Sequence, residues 1–151
     1  MPTYHDLFGR TGGFTLVELV TALFLLSLSL SLLLPAAGRQ VDWMAVRGAR
    51  DEVAGLLHRT RGEAVSRGGA QLVLSVSPPM ARVLAGEETL AGSMLEEIYG
   101  VSMTLSRGQQ EVIMAFGPLG LGRVASQTLR FKRGEAEAVL VVSSLGRVVR
   151  K

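Results

Sequence analysis

A single carboxylate occupies the costliest position this chain can offer it. Glu18 is the one charged side chain among the 21 residues 14–34. An ionised carboxylate within an apolar span costs a few kcal/mol even on mild insertion scales, so a residue kept there has a use. The second group able to do chemistry is the basic tail, Arg147, Arg150 and Lys151, with Arg123, Arg130, Lys132 and Arg133 close by in sequence. Such forks and point charges suit phosphate. On an extended strand alternate residues share a face, which groups Arg147 with Val149 and Lys151 and turns Arg150 away. Two outcomes stay open for this tail: a weak, salt-sensitive phosphate contact, or a solvated basic edge that discourages sheet-to-sheet association.

Other titratable residues offer less. His5 lies near the start, and His58 stands alone on a helical segment, where a surface or groove-lining role is expected rather than a general base. Glu87-Glu88 and Glu96-Glu97 are adjacent pairs, whose carboxylates diverge on a strand or a helix. They lack the alternating Asp/Asn loop of a calcium site. Gly120-Leu121-Gly122 lacks the rest of a phosphate loop and reads as a turn. With no cysteine there are no disulfides, iron–sulfur clusters or thiolate zinc sites. The expectation is no catalytic residue, no metal and no cofactor.

The elements that position these residues are legible in outline. At about 1.5 Å rise per residue, an apolar helix over residues 14–34 just crosses a roughly 30 Å hydrocarbon core. Ser27, Ser29 and Ser31 alternate inside it and can bond to their own helix or to a neighbouring one. Pro35 then removes an internal hydrogen bond and allows a kink. Apolar positions recur at Val46, Ala49, Val53, Leu56, Leu57, Ala64 and Val65, and Gly68-Gly69 is a helix stop. Residues 35–69 therefore continue the rod as an amphipathic helix. Beyond it, strands are predicted at 71–77, 81–85, 101–106, 111–116, 127–132 and 138–143, with 93–99 as a short helix or loop. Charge is uneven: residues 87–111 hold five acids against one base, and residues 123–151 seven bases against two acids. The predicted class is α+β, a long N-terminal helix packed against a C-terminal antiparallel sheet.

The order of signals at the N-terminus is the reverse of a secretory signal peptide, because Gly12-Gly13 precedes the apolar stretch. The run Gly13-Phe14-Thr15-Leu16-Val17-Glu18-Leu19-Val20, the apolar helix and Pro35 resemble type IV pilins and type II secretion pseudopilins. That resemblance implies a leader over residues 1–13, removed by a prepilin peptidase between Gly13 and Phe14, with N-methylation of Phe14. Glu18 becomes the fifth mature residue and Pro35 the twenty-second. The charged amine of Phe14 and the carboxylate of Glu18 can then neutralise each other within a chain or between neighbours. Pairing between neighbours fixes the stagger along a filament. The leader motif implies an N-terminus in the cytoplasm and a domain over residues 70–151 in the periplasm. A positive-inside count opposes it, since Arg10 precedes the span and Arg39, Arg47 and Arg50 follow.

Further along, Phe116-Gly117-Pro118-Leu119-Gly120, the segment Arg-Gly-Glu-Ala-Val-Ser-Arg-Gly at 61–68 and the ending Ser144-Leu145-Gly146-Arg147-Val148-Val149-Arg150 resemble the H-type minor pseudopilins. Their domain is shared with FimT-type minor pilins. The resemblance implies a structural subunit of an inner-membrane pseudopilus that serves protein export. Its implied partners are the major and other minor pseudopilins, the prepilin peptidase and the inner-membrane assembly platform. A FimT-like minor type IV pilin that contacts DNA, or takes part in pilus assembly, is the alternative. The Gly-Arg-x-Arg ending linked to DNA uptake departs here, because Arg147 and Arg150 are three apart rather than two.

Overall fold

Thr15 starts the long helix. Its Oγ1 accepts the Glu18 backbone N–H at 3.2 Å and its carbonyl accepts the Leu19 N–H at 3.1 Å, the arrangement of an N-cap. A computed structural model describes residues 13–122 and 126–151, the side chains of residues 32–36 excepted. The expected leader (apart from Gly13), with His5 and Arg10, and Arg123 in the basic segment thus lie outside the described residues. From the cap, α1 runs over Leu16–Arg67, and its backbone is helical at Pro35, whose side chain lies outside the description.

The chain forms two compact units, Met1–Ala37 and Gly38–Lys151. In the first, the described side chains from Phe14 to Ser31 are all exposed. Its hydroxyls serve their own helix: Thr21 donates to the Val17 carbonyl at 2.7 Å, and Ser27 and Ser29 donate to Phe24 and Leu25 at 2.8 Å. Among the described residues no helix is long and apolar enough to cross a membrane, and side-chain description of this run stops before Leu32, Leu33 and Leu34.

The second unit is built on the far stretch of α1. Val46, Ala49, Val53, Leu57, Thr60 and Ala64 form its buried stripe at helical spacing. Val65, expected on that stripe, is instead 58% exposed. Adjacent helix positions are about 100° apart, and Ala64 takes the inward one. Gly68, with φ +81°, then ends the helix in the left-handed conformation that glycine adopts without a Cβ penalty.

Among the described residues eight strands follow: β1 (Ala70–Val76), β2 (Pro79–Ala85), β3 (Glu88–Met94), β4 (Ser102–Leu105), β5 (Glu111–Phe116), β6 (Gln127–Arg133), β7 (Ala136–Val142) and β8 (Val148–Arg150). A five-residue helix α2, Leu95–Tyr99, joins β3 to β4. The strands make two antiparallel four-stranded sheets, ordered β3-β2-β1-β5 and β4-β6-β7-β8, rather than the single sheet expected. Alternation in sequence marks a buried face but says nothing of which strands pair. β3 escapes sequence reading for a related reason. It is an edge strand with Ser93 as its only buried side chain, so it carries no apolar period.

Both sheets share one core with α1. Leu72, Leu74, Val83 and Met114 come from the first sheet, and Met103, Leu129, Phe131 and Leu140 from the second. α2 reaches α1 at Gly48, where a Cβ would lie 2.7 Å from Tyr99 Cε1. Burial raises the pKa of the Tyr99 phenol above its ordinary value, and the charge of Glu52 acts in the same direction. Arg133 holds this corner, donating to the Tyr99 carbonyl at 2.6 Å and pairing with Asp42 at 2.9 Å.

Candidate functional site

The N-terminal candidates Gly13, Phe14 and Glu18 belong to the first unit. The Gly13–Phe14 peptide lies just ahead of the first helical residue, in no regular element, and Phe14 is 84% exposed. Glu18 stands exposed in the first turn of α1, where an acid also complements the partial positive charge of the helix end. Thr15 caps the helix that carries these residues, a role the sequence signals through Thr-x-x-Glu, a capping-box signature.

The C-terminal candidates sit against α1 in the second unit. The 117–122 loop and the 143–147 turn are drawn onto the helix by one side chain, Arg61. Its Nε donates to the Gly120 carbonyl, Nη1 to Gly146 and Nη2 to Leu145, each at 3.2 Å. The guanidinium carbon lies 5.9 Å from the centroid of the Phe116 ring. Gly146 must be glycine here: its φ is +81°, and a Cβ would come within 3.0 Å of the Phe116 ring and 3.4 Å of Arg61. The three segments that carry the C-terminal resemblance therefore meet at one point.

Beside this clamp runs an open groove of about 470 Å³, lined by His58, Arg61, Leu121, Leu145, Arg147, Val148 and Arg150. Arg147 and Arg150 share it, contrary to the expectation that they face opposite ways. The reason is local. β8 begins only at Val148, so Arg147 lies in the preceding turn, where its N–H is held by Ser143 Oγ at 3.0 Å and strand alternation does not apply. Arg150 also pairs with Asp51 at 3.3 Å, and Arg50 with the same carboxylate at 3.1 Å. Lys151 does not line the groove; its backbone pairs with Val139 at 2.9 and 3.0 Å. His58 is exposed on the groove wall.

The acidic pairs are dispersed over the β2–β3 hairpin and α2, with Glu88 paired to Arg67 at 2.9 Å. Among the described residues no three His, Asp or Glu side chains gather as a metal site would need.

No family model and no curated protein sequence matches the chain. Solved structures do. The Pseudomonas aeruginosa type IV minor pilin FimU matches at a TM-score of 0.56 and 18% identity, over 70% of this chain and 87% of that one. The minor pseudopilin EpsH from the type 2 secretion system of Vibrio cholerae matches at 0.54 and 12%, over 70% and 95%. This is a pilin-like fold. A pilin-like chain with a helix packed on antiparallel sheet is the architecture expected from sequence, and its two neighbours carry different descriptions, one a pilus subunit and one a secretion subunit.

Proposed function

We propose that the chain is a membrane-anchored minor pseudopilin, a structural subunit of a type II secretion pseudopilus rather than an enzyme. The observation that carries this reading is the pilin-like domain standing behind a Gly13–Phe14 junction and an apolar helix that keeps Glu18. In it, a prepilin peptidase cuts after Gly13 and Phe14 is N-methylated. The helix over residues 14–34 spans the inner membrane once, the domain faces the periplasm, and Glu18 sets register among packed helices. The major and other minor pseudopilins are its neighbours, delivered through the assembly platform. Intact-mass and N-terminal sequencing of the protein from its native host tests this. A product beginning at methylated Phe14 is expected; an uncut leader or a different new terminus would sink it.

One observation favours a second reading, a minor type IV pilin that contacts DNA: Arg147 and Arg150 line the same groove. Phosphates in that groove would displace counterions, so binding would fall steeply with salt. On this reading, changing Arg147 and Arg150 to Ala weakens duplex DNA binding by detergent-solubilised protein about tenfold in a fluorescence-anisotropy titration. It also lowers the salt slope by about 2, because each arginine neutralises one phosphate. Equal binding by variant and parent would dismiss the groove as a DNA site.

A further inference from the structure

Where the apolar run gives way to the amphipathic part of α1, three side chains line up. Arg39, Trp43 and Arg47 recur every four residues and so occupy one stripe of the helix. Trp43 is 41% exposed although it is the only tryptophan in the chain, and its neighbours Val41 and Met44 are 53% and 66% exposed. The Arg47 guanidinium lies over the Trp43 ring, 5.5 Å from its centroid. Among the described residues neither Arg39 nor Arg47 has an ion-pair partner. The nearest acids in sequence are taken, Asp42 by Arg133 at 2.9 Å and Asp51 by Arg50 at 3.1 Å and Arg150 at 3.3 Å. An exposed aromatic ring between two cations without ion-pair partners is a composition that water alone does not call for. It matches a membrane–water interface, where tryptophan sits at headgroup level and arginine meets lipid phosphate.

The spacing along the chain sets how far these side chains must reach. Residues 35–38 are Pro, Ala, Ala and Gly, so the first charge after the apolar run is Arg39. Counted from Leu34, where the apolar run ends, Arg39 lies about 7–8 Å and Trp43 about 13–14 Å along the helix. The headgroup layer on each side of a bilayer is roughly 5–7 Å deep, so the ring reaches it through the lean of its side chain and a membrane-helix tilt of about 20°. Arg47 is a further turn out, but helix side chains lean towards the N-terminus, and its place over Trp43 shows that lean. A cleft of about 390 Å³ beside Arg39 and Trp43 is lined also by Asp42 and Glu135. Those carboxylates repel an anion from the cleft, which leaves the outward stripe as the place for one.

We propose that Arg39, Trp43 and Arg47 form a headgroup-binding stripe that holds anionic phospholipid at the outer rim of the membrane. This rests on the reading that residues 14–34 span the bilayer. It also gives a use to the arginines that oppose the positive-inside count: they engage the lipid surface on the side to which the leader motif assigns them.

Trp43, as the sole tryptophan, reports on itself. The full chain is reconstituted in nanodiscs of phosphatidylcholine alone and of phosphatidylcholine with one-third phosphatidylglycerol, and Trp43 emission and acrylamide quenching are recorded. Expected is a blue shift and an about threefold lower quenching constant in the anionic discs. Changing Arg39 and Arg47 together to Gln should abolish the difference while far-UV circular dichroism stays unchanged. Equal quenching in the two disc types, with the chain incorporated in both, would overturn the stripe alone. Protection reproduced by millimolar inorganic phosphate in phosphatidylcholine discs would also overturn it, by showing a general anion site. A chain that enters neither disc overturns the spanning reading, and this inference with it.

Discussion

Arg61→Ala is expected to lower the stability of the second unit by about 3 kcal/mol. Arg61 makes three charge-assisted hydrogen bonds to carbonyls from two segments far apart in sequence. A hydrogen bond to a charged group contributes roughly 1.5–3 kcal/mol when well shielded, and partial exposure of this side chain brings each nearer about 1 kcal/mol. Truncation also leaves the backbone of Gly120 and Gly146, both buried, with acceptors that water reaches poorly. For a unit of this size the loss corresponds to a fall in Tm of about 12 °C. Arg61→Lys should recover less than half, because a single ammonium cannot reach three diverging carbonyls. Thermal and urea unfolding of parent and variants measure the change. Hydrogen exchange then locates it: the amides of Gly120 and Gly146, which close turns on Gly117 and Ser143 at 2.8 Å, should lose protection before those of β1. A loss below about 1 kcal/mol, or exchange raised evenly across the sheets, would mean the loops hold their positions without the clamp.

Arg61 also shows where sequence reading stops. Its partners are 59, 84 and 85 residues away, and no local pattern links them. What the sequence does carry is a set of matching segments around Arg61, Phe116 and Gly146, without the reason they belong together. The helix is legible because its signals are local: an apolar run, a stripe ending at Ala64 and a glycine stop at Gly68. Strand β5 is legible too, as the short apolar run Val112–Phe116 closed by Gly117-Pro118, while its alternating burial emerges only in the fold. Strand β2 starts two residues before its expected position because Pro79 has the look of a breaker. Yet the first residue of a strand tolerates proline, and Pro79 stands opposite Val76 in register. The basic tail fails in the opposite direction. Alternation does not hold at Arg147, one residue before the strand that obeys it. The result is a pair of arginines in one groove where the spacing rule separates them. Burial in two sheets, partner choice and loop anchoring are long-range facts, and in this chain they decide the C-terminal surface.

If the chain is the proposed pseudopilin, Glu18→Ala and Glu18→Gln are both expected to leave membrane insertion intact and to cut incorporation into filaments by about a hundredfold or more. Two other roles for this acid must first be set aside. As a helix-end charge it stabilises the first turn by only about 0.3–1 kcal/mol, too little to govern assembly. As a member of the Thr15 cap it donates a backbone N–H, which any residue at position 18 supplies equally. Removing the carboxylate from an apolar span, by contrast, favours insertion, so a variant that reaches the membrane but not the filament has lost something specific. On the proposed reading the loss follows from an ion pair between Glu18 and the new Phe14 amine: leaving that amine unpaired among packed helices would cost about 3–5 kcal/mol. Glutamine retains the length and hydrogen-bonding capacity of the side chain without its charge, and so separates pairing from packing. Thr15→Ala probes the cap alone and should assemble within about threefold of the parent, as expected from a cap worth near 0.5 kcal/mol at an exposed helix end. Membrane and sheared-filament fractions, compared by immunoblot in the native host, provide the measurement. Normal incorporation of the Gln variant would mean that charge at position 18 sets no register, and that hydrogen bonding or helix contacts supply it instead.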